Sequence, residues 1–241
     1  MDGVPWDVVL LIAAVTCVGA FVQSVVGLGL GLLVAPVVAM VEPALVPALP
    51  LWLALLISGS MLLGERRHVD WRSLAWALPA RIPGTLLGAW LVVSYSDQVI
   101  AVAIGVMVLV AVLVTVRAVH VPVNPASLSV AGLVAGVSGT ATSIGGPPIA
   151  LLFQKREPEV VRSTLSVFFF LGVCVSLVGL AWSGELTRAS WHLGLLLAPL
   201  VVLGAWAGSA VRDRLPRHAF RTGVLLLCSA SALALLVQAL T

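Results

Sequence analysis

The segment Ser143-Ile144-Gly145-Gly146-Pro147-Pro148 has the composition of a helix that begins inside an apolar stretch. Proline is favoured in a first helical turn, where its missing N–H would be unpaired in any case. A helix N-terminus carries about half a positive charge and is a natural anion site. Thr140, Thr142 and Ser143 bring hydroxyls to this point, and Gly145 and Gly146 bring uncovered amides. Earlier in the chain, Gln23 and Ser24 precede Gly27 and Gly29 in the run GLGLG (27–31) and suit the same part. The alternative use of these polar groups is to cap the breaks themselves.

The ionisable residues agree in sign. Arg81 lies near the middle of the apolar stretch 73–93. A charge at that depth is costly and marks a functional site by default; its other uses are snorkelling or pairing with a carboxylate. Arg162 opens the apolar stretch after the second glycine run and can face a cavity or the cytoplasm. No Asp or Glu falls inside a span: Glu42, Asp97, Glu157 and Glu185 all sit at ends. A cation or proton carrier usually keeps a buried carboxylate. This chain keeps arginine, so the expected cargo is an anion. His192 sits near a span end and reads as interfacial. Cys17, Cys174 and Cys228 lie in apolar stretches as small packing residues, and no metal-ligand spacing or cofactor motif appears. P-loop, HExxH and GxSxG patterns are missing, so no enzyme chemistry is expected.

The elements that hold these residues are set by composition. Of 241 residues, 61% are hydrophobic and only 10% charged, where soluble domains are about half apolar and about a quarter charged. The chain reads as an all-α polytopic membrane protein and excludes a disordered chain, a coiled coil or a nucleic-acid binder. The N-terminal MDGVPWDVV has no basic residue, so residues 8 onward read as a retained membrane segment rather than a secretory signal. Apolar stretches fall at about 8–41, 46–63, 73–93, 98–116, 128–153, 163–183, 190–211 and 222–240. Trp6, Trp71, Trp182 and Trp191 lie near their boundaries as interface anchors.

Two stretches are too long or too broken for one straight crossing. Residues 8–41 would span about 51 Å as one helix, against a hydrocarbon core of about 30 Å. Glycines interrupt both 8–41 and 128–153, the second within GVSGTATSIGGPP (136–148). If each stretch crosses once, Lys and Arg divide seven to five between the faces. If each turns back as a hairpin, Arg66, Arg67, Arg72, Arg117, Lys155, Arg156, Arg162, Arg212, Arg214, Arg217 and Arg221 share one face, leaving Arg188 opposite. The positive-inside rule selects the hairpins and places both termini outside the cell membrane.

The halves also resemble each other. Pro79 to Gly88 sits over Pro199 to Gly208, Trp71 over Trp191, Glu42-Pro43 over Glu157-Pro158, Gly27 over Gly139 and Pro36 over Pro148. The expected architecture is a single membrane domain (1–241) of two inverted repeats, 8–117 and 128–240, each a glycine-broken hairpin plus three transmembrane helices. Paired breaks in inverted halves point to a midplane site. The pairs Gly84/Gly88 and Gly204/Gly208 read as helix-packing motifs.

FVQSVVGLGLGLLVAP (21–36) and AGLVAGVSGTATSIGGPPIALLF (131–153), with Arg162 at the next span's start, resemble the two glycine-rich signatures of the TauE/SafE, or sulfite exporter, family of membrane permeases. The resemblance covers essentially the whole chain. It implies movement of sulfite, sulfoacetate or a similar small sulfur-containing anion; Arg81 matches no family motif and rests on its chemistry alone. The expectation is a secondary transporter, exporting by alternating access, whose substrate contacts Gly27, Gly29, Thr140, Thr142, Ser143, Gly145 and Gly146, with charge from Arg81 or Arg162 and Gln23 and Ser24 in support. Its partners are that anion and membrane lipid, with no nucleic acid, cofactor or metal; a homo-oligomer stays open. The alternatives are an anion channel and a non-transporting membrane subunit.

Overall fold

The computed structural model describes residues 4–64, 68–117, 121–153, 156–212, 214 and 217–241, with 217–221 described by backbone alone. Asp2, Arg66, Arg67 and Lys155 and the side chains of Arg217 and Arg221, which enter the charge argument, lie outside the described residues. The described part is helical throughout: α1 (Trp6–Val26), α2 (Leu30–Val41), a 3-10 turn (Pro43–Leu45), α3 (Ala48–Gly64), α4 (Trp71–Ser94), α5 (Asp97–Arg117), α6 (Pro125–Thr142), α7 (Gly146–Leu152), α8 (Pro158–Ser183), α9 (Arg188–Val211) and α10 (Arg217–Leu240). Six of these, α1, α4, α5, α8, α9 and α10, are long and apolar enough to cross a bilayer. The protein is a multi-pass membrane protein.

Both glycine-rich stretches divide into two helices, and the second helix of each returns along the first. A Cβ on Gly19 of α1 would lie 3.3 Å from Leu30 Cα and 3.3 Å from Val34 Cγ2 of α2. Leu128, Ala131 and Ala135 of α6 share one buried cluster with Ile149 and Leu152 of α7. The arms are unequal: α1 is about 31 Å long and α7 about 10 Å.

The second break falls later than its glycines suggest. Helix α6 continues through Gly136 and Gly139 to Thr142 and stops at Ser143, whose φ is 60°. The first stops at Gly27, with φ 91°. In each case the next helix starts three residues on, at Leu30 and at Gly146. Gly136 and Gly139 serve close packing instead. Loop bounds shift too: Arg72 lies in α4, Arg162 in α8, and Arg117 closes α5.

The helix ends collect at two poles. Pro43, Val46, Val92, Asp97 and Glu185 line one small hollow, and Gln238 and Gln98 bridge to the Met40 and Ala239 carbonyls beside it, at 3.0 and 2.7 Å. Val4 packs in the cluster with Val41 and Val46, so both chain ends meet this pole. At the other pole Asp70 N–H donates to Thr164 Oγ1 (2.9 Å), Arg156 lies 3.9 Å from Asp70 and His68 3.6 Å from Glu159.

Two glycine-mediated contacts fix the helices that flank the breaks. A Cβ on Gly88 of α4 would lie 2.7 Å from the Val137 carbonyl and 2.9 Å from Thr140 Cβ of α6. One on Gly208 of α9 would lie 2.6 Å from the Phe21 carbonyl and 2.9 Å from Ser24 Cβ of α1. Both pairs of small residues thus do what their spacing predicts. Overpacking a tight contact costs about 1–3 kcal/mol. Gly208→Val is expected to lower the thermal unfolding midpoint in detergent, whereas Gly64→Val, where nothing lies within 4 Å of the Cβ position, leaves it unchanged.

Helix α4 is anchored by its N-cap. Asp70 Oδ1 accepts from Ser73 N–H (3.1 Å) and Oδ2 from the Ser73 hydroxyl (2.7 Å). Partial burial raises the Asp70 carboxyl, but the Ser73 bonds and Arg156 outweigh it and hold it below the ordinary 3.8. A depressed carboxyl stabilises the fold above its unfolded value, and that stability is lost as pH falls through the folded value. Asp70→Ala should therefore cost about 1 kcal/mol near neutral pH. The gap to the native protein should close in acid below 3.8, as chemical unfolding followed against pH would record.

Candidate functional site

The two breaks meet each other. A Cβ on Gly31 would run into the Ser143 carbonyl, and one on Gly146 would lie 3.7 Å from Leu28 Cβ. Between them is a cavity of about 50 Å³. At about 10–15 Å³ per water, it has room for a few waters or one small polyatomic ion. Its polar lining comes from Gln23, Ser143, Arg81 and the backbone of Gly29, Gly31, Gly139, Gly145 and Gly146. Its apolar wall is Leu28, Leu32, Leu51, Ala54, Ile144, Pro147, Phe169 and Val173.

Each break has its own stitch. The Gly27 N–H closes α1 on the Gln23 carbonyl (2.7 Å), and Gln23 Oε1 accepts from Leu30 N–H at the start of α2 (3.1 Å). Ser143 holds a left-handed conformation that costs a non-glycine residue roughly 1–2 kcal/mol. Its hydroxyl donates to the Pro47 carbonyl at 2.9 Å, tying the second break to the entry of α3.

Arg81 is the charged group of the cavity. It is 2% exposed, and neither its Nε nor its Nη1 has a hydrogen-bond partner. Among the described residues it forms no salt bridge. Its neighbours make space for it rather than bond it. A Cβ on Gly172 of α8 would fall on the guanidinium, and those on Gly139 and Gly145 would lie 3.2 and 3.6 Å from Nη2. The guanidinium carbon lies 4.7 Å from the Phe168 ring centroid, a cation–π contact. Two of the uses open to Arg81, pairing with a carboxylate and snorkelling to a surface, do not occur here. An arginine at the centre of a membrane helix costs roughly 2.5–3.5 kcal/mol even on the lenient insertion scale.

Of the residues singled out from the sequence, Gln23, Gly29, Arg81, Ser143, Gly145 and Gly146 line this cavity. Five do not. The Ser24 hydroxyl donates to the Ala205 carbonyl of α9 at 2.8 Å. Thr140 Oγ1 pairs with Ser176 Oγ of α8 at 2.8 Å, and Thr142 bonds back to the Ser138 carbonyl at 2.7 Å. These hydroxyls are consumed by helix packing and capping. Gly27 lies beside Arg162, whose Cγ is 3.7 Å from the Gly27 Cβ position, and both stand off the cavity wall. The pattern reading missed Gly31, Gly139 and the α8 residues Phe168, Phe169, Gly172 and Val173. Only the glycines carried a signal, as members of the two glycine runs. Among the described residues no group of three or more metal-ligating side chains occurs.

A family model, Sulfite exporter TauE/SafE, matches residues 11–235. The chain belongs to the TauE/SafE family. Curated relatives include a probable sulfite/organosulfonate exporter TauE from Cupriavidus necator, 26% identical over 79% of this chain and 78% of that protein. Another is a probable inner membrane transporter protein TsaS from Comamonas testosteroni, 27% identical over 74% of this chain and 78% of its own. No solved structure matches. TauE/SafE proteins form a transporter family, not an enzyme family, and this member is a membrane transporter.

Packing around Arg81 is testable without any ligand. Gly172→Ala places a methyl on the guanidinium and should destabilise by about 1–3 kcal/mol. In the Arg81→Ala background the same change should be nearly neutral, since the clash needs both side chains. A double-mutant cycle of thermal stabilities measures this coupling; additive effects would mean that Arg81 does not occupy the space beside Gly172.

Proposed function

We propose that this TauE/SafE transporter is a secondary carrier that exports a small sulfur-containing anion, sulfite or an organosulfonate, with the anion held between the two helix breaks against Arg81. The observation that carries this reading is a 2%-exposed guanidinium that lines a cavity between two broken helices, its Nη2 end beside the cavity-lining Gly139 and Gly145, while Nε and Nη1 are buried without a hydrogen-bond partner. A positive group in low dielectric selects an anion, and planar guanidinium donors match oxyanion geometry. The Gln23 side-chain amide and the backbone amides about Gly29, Gly145 and Gly146 complete the cradle, while the Ser143 hydroxyl, held by the Pro47 carbonyl, fixes the second break. Arg162, beside the first break, belongs to the approach rather than to the cradle.

Two inverted repeats, 8–117 and 128–240, would give the alternation of access. The match of the breaks supports this: a left-handed residue, two further residues, then a helix start. The packing exchanges in the same sense, α4 on α6 and α9 on α1, through Gly88 and Gly208. This register pairs Gly27 with Ser143, four residues from the pairing with Gly139 that glycine content alone suggests. The pole bearing Arg156, Arg72 and Arg162 would face the cytoplasm and the chain ends the outside. An inside-negative potential then favours exit by about 2.3 kcal/mol per charge per 100 mV.

The test is flux from proteoliposomes loaded with labelled sulfite, thiosulfate, sulfate or sulfonates. Saturable efflux of one or more is expected, falling by at least tenfold in Arg81→Ala if the lost contact is worth about 1.4 kcal/mol or more. Unchanged flux in that variant would remove Arg81 from the mechanism. Conductance without saturation or counterflow would make the protein a channel.

A further inference from the structure

Resting on that reading, we propose that the carrier works by obligatory anion exchange: it changes sides only with an anion on Arg81, so every anion that leaves is matched by one that returns.

The argument starts from what a carrier must do on its empty return. To face the other side it passes through a closed form in which its binding groups are shut off from water. A carrier that returns empty needs some way to quiet its binding charge in that form. One way is a carboxylate that pairs with it or exchanges a proton. Another is a set of neutral acceptors that take over its hydrogen bonds.

Neither is built here. The carboxylates of the described residues sit at helix ends or in connections: Asp7, Glu42, Asp70, Asp97, Glu157, Glu159 and Glu185. Gly139, Gly145, Gly172 and the Phe168 ring stand close to the guanidinium. None bonds Nε or Nη1. The ring offers its face, which is weaker than a hydrogen-bonded anion and leaves the donors unsatisfied. Burial is already 98% complete by exposed area, since Arg81 is 2% exposed. Waters that fit the cavity can bond the guanidinium but cannot neutralise it, so the charge stays uncompensated in the closed form unless the cavity holds an anion.

An anion on Arg81 favours the closed form over the open ones by its differential affinity, and that is all a ligand can do to such an equilibrium. Closure and occupancy are thereby coupled. Of the two matching places only one carries a charge, and the glycine that clears room for it, Gly172, comes from the other half. Arg81 and Val201 hold matching places three residues before Gly84 and Gly204, and Val201 is fully buried in an apolar cluster with Ile57. No second cation waits there to exchange partners with the first.

Exchange also changes what drives export. The membrane potential acts only on the difference in charge between the two anions. A dianion leaving against a monovalent anion entering is driven outward, while like charges exchange without electrical drive.

The experiment uses the full chain in liposomes loaded with labelled sulfite, with the potential clamped by potassium and an ionophore. Outside, the sole anion is gluconate; a parallel sample receives unlabelled sulfite, and a third chloride. External sulfite is expected to raise the initial efflux by roughly tenfold or more, well inside the roughly 60-fold that corresponds to the low end of what an unpaired mid-membrane arginine costs. Equal efflux into gluconate and into sulfite would overturn exchange while leaving the exporter reading intact. No efflux under any condition would overturn both. In Arg81→Gln the ratio of the two rates should fall towards one. As a readout independent of flux, sulfite at fixed ionic strength should raise the unfolding midpoint of the native protein in detergent over gluconate, and should fail to do so for Arg81→Gln. A variant stabilised as much as the native protein would overturn the role of Arg81.

Discussion

Everything in this structure answers to one electrostatic constraint: a guanidinium inside a membrane protein that, among the described residues, no anionic side chain meets. Placing Arg81 there demands a helix that brings it to mid-bundle, room for its planar head and a wall that keeps lipid away. The N-cap at Asp70 sets the start of α4. Gly88 lets α4 lie against α6 at backbone distance. Gly172 clears the head on the α8 side, and Phe168 offers a ring face. The same close packing shields the broken backbone at Gly27–Gly29 and Ser143–Gly145, which hydrocarbon would not tolerate bare.

The hydrophobic pattern made the bundle legible. Charge clusters cut the apolar stretches within a few residues of the helix ends, and the two overlong stretches proved to be paired helices. Arg81 was legible because a charge among leucines is costly and narrows the explanations to a functional role, snorkelling or a carboxylate partner. The second break falls inside 136–148, with its helix start where residues 143–148 put it, but its counterpart of Gly27 is Ser143 and not Gly139. Glycine and hydroxyl content is high from Gly136 onward, but the helix runs on to Thr142 because tertiary packing against α4 rewards small residues in a continuous helix. Composition marks both uses of glycine alike, and only the backbone separates them.

The hydroxyls failed as site markers for a related reason. Ser24, Thr140 and Thr142 each find a partner in a neighbouring helix or the preceding turn. In an apolar interior an unsatisfied hydroxyl is costly, so a nearby carbonyl captures it before a solute can. Phe169 and Val173 carry no mark at all. They line the cavity because α8 crosses there, a fact of three-dimensional packing in the apolar middle of that helix, residues 167–175. Gly172 differs only in retrospect: its lack of a side chain is the complement of Arg81.

That complement bears on how a site arises within two similar halves. At the place matching Arg81 the other half keeps Val201, buried with Ile57 in a dry cluster. If the proposed repeats descend from one plan, they depart from it in two coupled ways, one in each half: an arginine for an aliphatic residue in the first, and Gly172 on the facing helix of the second. Either change alone is unfavourable. Arginine without the clearance overlaps α8, and the clearance without arginine leaves a hole whose cost grows with its volume. Together they yield one cation in an otherwise near-symmetric core. On the proposed reading the symmetry would supply two matched breaks able to trade access, and its violation the chemistry. A carrier of this kind needs both, since a fully symmetric pair of arginines would double the desolvation cost and place two like charges in one low-dielectric chamber.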